Sequence, residues 1–238
     1  MSADELTCAA GTAAVLCLAD SRFPGGGHAH SGGLEEAVAR GLVTDVPTLA
    51  SFLRARLRTV GALAAAVAAV AATAARTGRE RDWWRELDVE VDARTPSPAQ
   101  RETSRAQGRG MARAGRLAWP SPVLDDLLAA IPRPHHPVAL GALAGIGGAP
   151  PRHAALAAAY LSVSGPASAC VRLLGLDPFR VNAVVADLSA LIGRISATAA
   201  GTCDRPPAEL PAPSAPALDL FAETHDRTHR LEVRLFAG

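Results

Sequence analysis

The sequence predicts an all-α fold, a single-domain helical bundle of about ten helices. Ala, Leu and Val dominate while Ile, Phe and Tyr are scarce, a balance that suits helices better than sheets. Long stretches carry no turn signal, and within them apolar residues recur at three- and four-residue steps. With 238 residues the chain is also long enough to bury a full hydrophobic core. The expected organisation is a helical domain over residues 1–204, then a Pro/Ala-rich linker over 205–217 that is too poor in large apolar residues to fold alone. A tail over 218–238 needs the domain or a partner to rest on.

A first helix is expected over Ala3–Leu18, ending before Phe23-Pro24-Gly25-Gly26-Gly27, where consecutive glycines cannot hold a helix. A short helix from Ser31 or Gly32 to Arg40 is stopped by Gly41. Asp45 then caps a long helix with Pro47 in its first turn, and Leu49, Phe52, Leu53, Leu57, Val60, Leu63, Val67 and Val70 form one buried stripe along it. Its other face carries Arg54 and Arg58. A helix over Arg79–Ala93 bears Trp83, Trp84 and Leu87, and the Thr95-Pro96-Ser97-Pro98 turn starts an Arg-studded helix over Ala99–Trp119. Pro120, Pro122, Pro132, Pro134 and Pro137 punctuate two short helices. Arg152–Leu174 reads as a long helix with a kink or a two-helix junction at Gly165-Pro166, because proline in an unbroken helix costs about 3 kcal/mol. Asp177 caps a last domain helix through Asn182 to Ile195.

Composition narrows the function classes. All 24 basic residues are Arg, which removes a Schiff-base lysine and a Walker A lysine at once. Against 23 acidic residues the net charge is +1, so no global field draws the chain to nucleic acid or anionic lipid. Cys8, Cys17, Cys170 and Cys203 form no CxxC pair, which argues against a zinc knuckle or disulfide scaffold and for a reducing cytoplasm. Thr59–Ala75 has the length of a membrane span, but it is mostly Ala, which gains little on transfer to lipid, so a buried bundle helix is expected. Ser162, Ser164 and Ser168 fall in a helical pattern rather than at a nucleophile elbow. His135, His136, His153, His225 and His229 form no catalytic set and read as surface or loop histidines, so no enzyme is expected.

Two patterns remain. Arg101, Arg105, Arg109, Arg113 and Arg116 place their guanidinium groups down one helix face. Their mutual repulsion, together with about 0.8 to 1 kcal/mol for each of Gly108, Gly110 and Gly115, means that packing must stabilise this helix. Glycines there allow a neighbouring backbone to come close. The face reads either as a solvated surface paired with Glu86, Glu90 or Glu102, or as a surface for an acidic partner, with a nucleic-acid-binding regulator as a rival. The second pattern is the run Gly25–Gly33, in which His28 and His30 offer two imidazoles. Two ligands do not complete a metal site without Glu35 or a second subunit, and a phosphate loop would need Lys and a different glycine spacing. His28 and His30 stay candidates for transient metal contact, and a metal-dependent protein is the further rival.

Phe23-Pro24-Gly25-Gly26-Gly27 leading through Ser31-Gly32-Gly33-Leu34-Glu35 resembles the signature of the urease accessory protein F family. Ser104-Arg105-Ala106-Gln107-Gly108-Arg109 is similar to that family's central Gln-Gly-Arg helix, Tyr160-Leu161 and Val171-Arg172-Leu173 to its late paired helices, and Arg234-Leu235-Phe236 to its C-terminal signature. The resemblance spans nearly the whole chain. It implies a helical scaffold, with no stably bound cofactor, that joins the D/H-type accessory protein, the G-type GTPase and apo-urease. Such a scaffold regulates GTP hydrolysis and aids nickel insertion, the nickel being handled transiently by the complex; no nucleic acid or membrane partner is implied, and pairing of two copies is left open. On this reading Arg101, Arg105, Gln107, Gly108, Arg109, Tyr160, Arg172, Arg234 and Phe236 are partner-binding candidates. Pro24, Gly26, Gly27, Ser31, Gly33 and Glu35 form the signature loop. Departures from the family are His28 and His30 in place of aromatic residues, and Leu176-Asp177-Pro178-Phe179 in place of a Gln- and Gly-rich turn.

Overall fold

The computed structural model describes residues 3–25 and 31–235, with side chains over 9–25 and 31–228. Among the described residues there is no strand. The helices are α1 (Ala3–Ala19), α2 (Leu34–Ala39), α3 (Val46–Arg56), α4 (Ala62–Thr77), α5 (Arg81–Ala93) and α6 (Pro98–Ala118). They continue as α7 (Pro122–Ala130), α8 (His136–Ile146), α9 (Pro151–Leu174), α10 (Pro178–Asp187), α11 (Ser189–Ala200) and α12 (Pro216–Leu235). Local chemistry sets many of these limits. Asp45 accepts the Thr48 N–H at 2.9 Å while the Thr48 hydroxyl accepts the Asp45 N–H at 3.1 Å, a capping box that starts α3. Ser97 and Asp177 cap α6 and α10, each followed by a proline in the first turn.

The core is built around α4, whose alanines and valines are buried on nearly every face. α8 lies along one side of it so closely that a Cβ at Gly141 or Gly145 would meet the carbonyl of Ala68 or Ala72. α9 and α11 pack on α4 elsewhere, and α6 packs on α8. Val46–Thr77 and Pro151–Leu174 are long and apolar enough to cross a membrane, yet most of each apolar window is buried inside the bundle, as expected for Thr59–Ala75.

Two helices differ from the expected limits. First, α9 is one helix through Pro166, with no two-helix junction there. A proline there leaves the Ser162 carbonyl without its helical donor, and the Arg56 Nε donates to that carbonyl at 2.9 Å. α3 and α4 are joined by a π-helical turn, Leu57–Gly61, that packs against α9, with Gly61 beside Ser162. Second, the helix capped by Asp177 is two helices, α10 and α11, bent by 42° at Leu188. The 205–217 segment is held against the domain: Arg94 donates to the Leu210 and Ala208 carbonyls at 2.9 and 2.8 Å, and Pro207 and Leu210 are buried. α12 then docks on α6 and α2 through buried Leu218 and Phe221. Glu223 accepts the Ser97 hydroxyl at 2.6 Å and the Ala99 N–H at 2.9 Å, which fixes α12 to the start of α6.

Candidate functional site

α6 carries the arginine ladder and the Gln-Gly-Arg segment. Its buried face is Gly108, Met111, Ala112 and Gly115. Gly108 lies against the turn before α8 so closely that any Cβ would overlap the Pro134 carbonyl oxygen, and Gly115 meets Leu143 in the same way. Close backbone approach at Gly108 brings α6 against the Arg133–His136 turn, and side chains of α5 reach the same junction.

A polar network fills that junction. Arg105 Nη2 lies 2.7 Å from both Asp88 Oδ2 and Asp92 Oδ2, and its Nη1 donates to the Arg133 carbonyl at 2.8 Å. The His135 side chain is only 1 % exposed, which overturns its reading as a surface histidine. Its Nε2 lies 2.9 Å from Asp92 Oδ1, its Nδ1 lies 3.0 Å from the Ser104 hydroxyl, and its backbone N–H donates to Asp88 Oδ1 at 3.2 Å. Burial pushes the His135 imidazole below its ordinary 6.5, even though Asp88 and Asp92 pull the other way. The neutral tautomer that fits donates from Nε2 to Asp92 and accepts at Nδ1 from Ser104. Burial alone would raise Asp92, but hydrogen bonds from His135 and Arg105 leave it below the usual carboxylate value. Burial likewise works against the Arg105 cation, and the Asp88 and Asp92 carboxylates reverse this and hold it above its ordinary value.

Asp88, Asp92 and His135 bring three ligand-type atoms within 4.8 Å of one another. Their chemistry does not suit a resident metal. Both carboxylates already serve one guanidinium at 2.7 Å, so a divalent cation would sit beside a fixed positive charge, and His135 would have to surrender the nitrogen that serves Asp92 or Ser104. The cluster is a satisfied polar node that fixes α5, α6 and α8 together.

The ladder therefore divides, which corrects the expectation of one uniform face. Arg101 donates to the Thr95 and Pro96 carbonyls at 2.8 and 3.0 Å, and Arg116 pairs with Asp125 at 2.7 Å. The expected partners do not serve the ladder: Glu102 pairs with Arg133 and Glu90 with Arg94. Arg109 and Arg113 are exposed and make no hydrogen bond or ion pair with any described residue. Beside them Gly25 and the Pro24 carbonyl lie against Gly110, Gly25 also touches Met111, and Phe23 stacks on Trp119 with ring centroids 6.2 Å apart. The start of the signature loop is thus seated on the outward half of α6.

The end of that loop is held elsewhere. Gly32 and Gly33 have φ of +63° and +89°, which glycine adopts without strain. Arg56 Nη1 donates to the Gly32 carbonyl at 2.6 Å, and Gly33 abuts Leu218 of α12. Ser31 Oγ accepts the Glu35 N–H at 3.3 Å, and Glu35 lies 4.0 Å from His225. Burial pushes the Arg56 guanidinium down to about 10, so it stays charged at neutral pH while serving only carbonyl oxygens. Sequence reasoning missed Arg56; the faint signal was a proline in α9 that needed a donor from outside its helix.

Among the other candidates, Tyr160 is 41 % exposed on α9, Arg172 is exposed near its end, and Gln107 is half-buried. Gly26, Gly27, His28, His30 and Phe236 lie outside the described residues, as does the side chain of Arg234.

Residues 43–189 match the family model described as UreF. The chain is 44% identical over 216 residues to "Urease accessory protein UreF" from Mycobacterium sp. (strain JLS), covering 91% of this chain and 95% of that relative. It is 43% identical over 219 residues to the protein of that name from Mycobacterium bovis, covering 92% and 96%. The Mycolicibacterium vanbaalenii protein of that name is 45% identical over 213 residues, covering 90% and 94%.

Proposed function

Because this chain belongs to the UreF family of urease accessory proteins, we propose that it is a non-enzymatic scaffold for urease maturation. It binds the D/H-type accessory protein, the G-type GTPase and apo-urease, regulates GTP hydrolysis and aids insertion of nickel, which passes through the complex as cargo. The observation that carries a protein-binding role is on α6, where Arg109 and Arg113 are exposed and, among the described residues, unpaired, beside the seated start of the signature loop. Two uncompensated guanidinium groups on a rigid helix favour an acidic partner surface. The buried polar groups that could have suggested catalysis are consumed in the Arg105 node instead.

Coexpression with copurification tests the reading. The tagged chain should recover the D/H-type protein, the GTPase and apo-urease, and R109E/R113E should lose at least one of them while remaining folded. Recovery of neither the D/H-type protein nor the GTPase by the wild type would overturn it. The nucleic-acid rival is weakened by the same geometry, since Arg101, Arg105 and Arg116 are engaged within the fold and about two arginines are left for phosphate contact.

A further inference from the structure

We propose that a cavity between α3, the π-helical turn and the start of α12, with Arg56 in its wall, binds a small organic monocarboxylate of about five carbons. The cavity holds about 210 Å³, and Phe52, Ala55 and Thr59 line it from the α3 side and Ala217, Leu218 and Phe221 from α12. At about 30 Å³ for a water-sized group, that is room for about seven non-hydrogen atoms, the size of pentanoate. Arg56 is the one charged residue in the wall. Thr59 spends its hydroxyl on the Ala55 and Arg56 carbonyls, at 3.0 and 3.2 Å, so Arg56 is the polar side chain left for a ligand.

Arg56 meets no opposite charge among the described residues. Its Nε and Nη1 donate to the Ser162 and Gly32 carbonyls, while Nη2 makes no hydrogen bond with any described residue. Burial is the one influence on its titration and lowers it, whereas a carboxylate nearby would raise it. The charged end of the side chain, and not its stem alone, reaches the α12 side of the cavity. A Cβ on Gly32 would lie 2.9 Å from Nη2, and one on the adjoining Gly33 would lie 3.3 Å from Leu218. A part-buried guanidinium with a spare donor, set among apolar walls, selects a ligand that is anionic at one end and apolar at the other. A carboxylate fits the guanidinium, and a short alkyl chain fits Phe52, Leu218 and Phe221. A neutral ligand would leave the cation unanswered, and a cationic one would be repelled.

The test titrates the purified full chain with pentanoate, 1-pentanol and pentylamine, followed by amide NMR shifts. Pentanoate should bind with a Kd of about 1 mM or tighter. Pentanol should bind about tenfold more weakly or worse, and pentylamine should not bind. At about ten times its Kd, pentanoate should raise the thermal midpoint by about 3 °C. Ala217 and Ala55 line the cavity from exposed positions, so A217F and A55F each put a ring into it and should weaken pentanoate about tenfold or more while the chain stays folded. R109E/R113E should bind pentanoate within about twofold of wild type. No binding of pentanoate, equal affinity for pentanoate and pentanol, or unchanged binding in both A217F and A55F would overturn the proposal. So would tighter binding of a capped Ala-rich hexapeptide with one Glu, which would give the cavity to a partner's side chain. Because no urease protein is present in the titration, this test can fail while partner copurification succeeds, and the reverse.

Discussion

On α6, Arg105 and Arg109 are one helical turn apart and chemically identical, yet the fold uses them in opposite ways. Arg105 is drawn into a junction where Asp88, Asp92 and the Arg133 carbonyl satisfy its guanidinium. Arg109 projects from the same helix with no partner among the described residues. The difference comes from their surroundings: at Gly108 the Arg133–His136 turn closes over the side of the helix that carries Arg105, while Arg109 and Arg113 lie on its exposed side. The arginine ladder thus divides into three residues engaged within the fold and two left at the surface.

The largest break in this contrast should be Arg105→Ala. It leaves Asp88, whose side chain is 9 % exposed, without its cation, and is expected to cost about 3 kcal/mol or more in chemical denaturation. Gly108→Ala should follow at about 2 to 3 kcal/mol, because the Pro134 carbonyl is backbone and cannot rotate away from a new Cβ. Arg56 is another inward arginine and sharpens the contrast. Arg56→Ala should lose about 1 to 2 kcal/mol in the wild-type background and less in Pro166→Ala, where a backbone N–H replaces the lost donor to Ser162. Additive effects in that double-mutant cycle would refute the link between Arg56 and the proline.

Acid should also separate the two halves. The folded chain keeps His135 neutral where the unfolded chain, with its ordinary value of 6.5, takes up a proton. The stability it contributes is therefore full above pH 6.5 and declines as pH falls below 6.5 toward the folded value. His135→Gln should flatten that decline in pH-dependent melts, whereas R109E/R113E should leave its shape unchanged. The smallest stability effect belongs to R109E/R113E itself, within about 0.5 kcal/mol of wild type, although this pair should lose partner recovery. A large loss of stability there would place the outer half in the structural class as well.

Much of the fold was legible in the sequence because it depends on neighbours within a few residues. The Asp45 box, the Ser97 and Asp177 caps and the Leu49–Val70 stripe are local signals, and the structure follows them. The continuity of α9 was illegible because its cure lies far away: Pro166 is tolerated where Arg56, distant in sequence, supplies the donor that the helix lacks. The hold of Arg94 on Ala208 and Leu210 of the linker segment was illegible for the same reason. His135 looked like a surface histidine because its partners, Asp88, Asp92 and Ser104, come from two distant helices.

By itself the sequence determined an all-α chain, its principal helices, the glycine-lined face of α6 and the motifs of a urease accessory family, all carried by short-range spacing and composition. Only the tertiary structure decided which arginines are free. A guanidinium is neutralised by whatever carboxylate or carbonyl the fold carries to within about 3 Å. For Arg105 and Arg56 those groups arrive from other segments of the chain, whereas Arg109, Arg113 and Arg180 are left without one among the described residues.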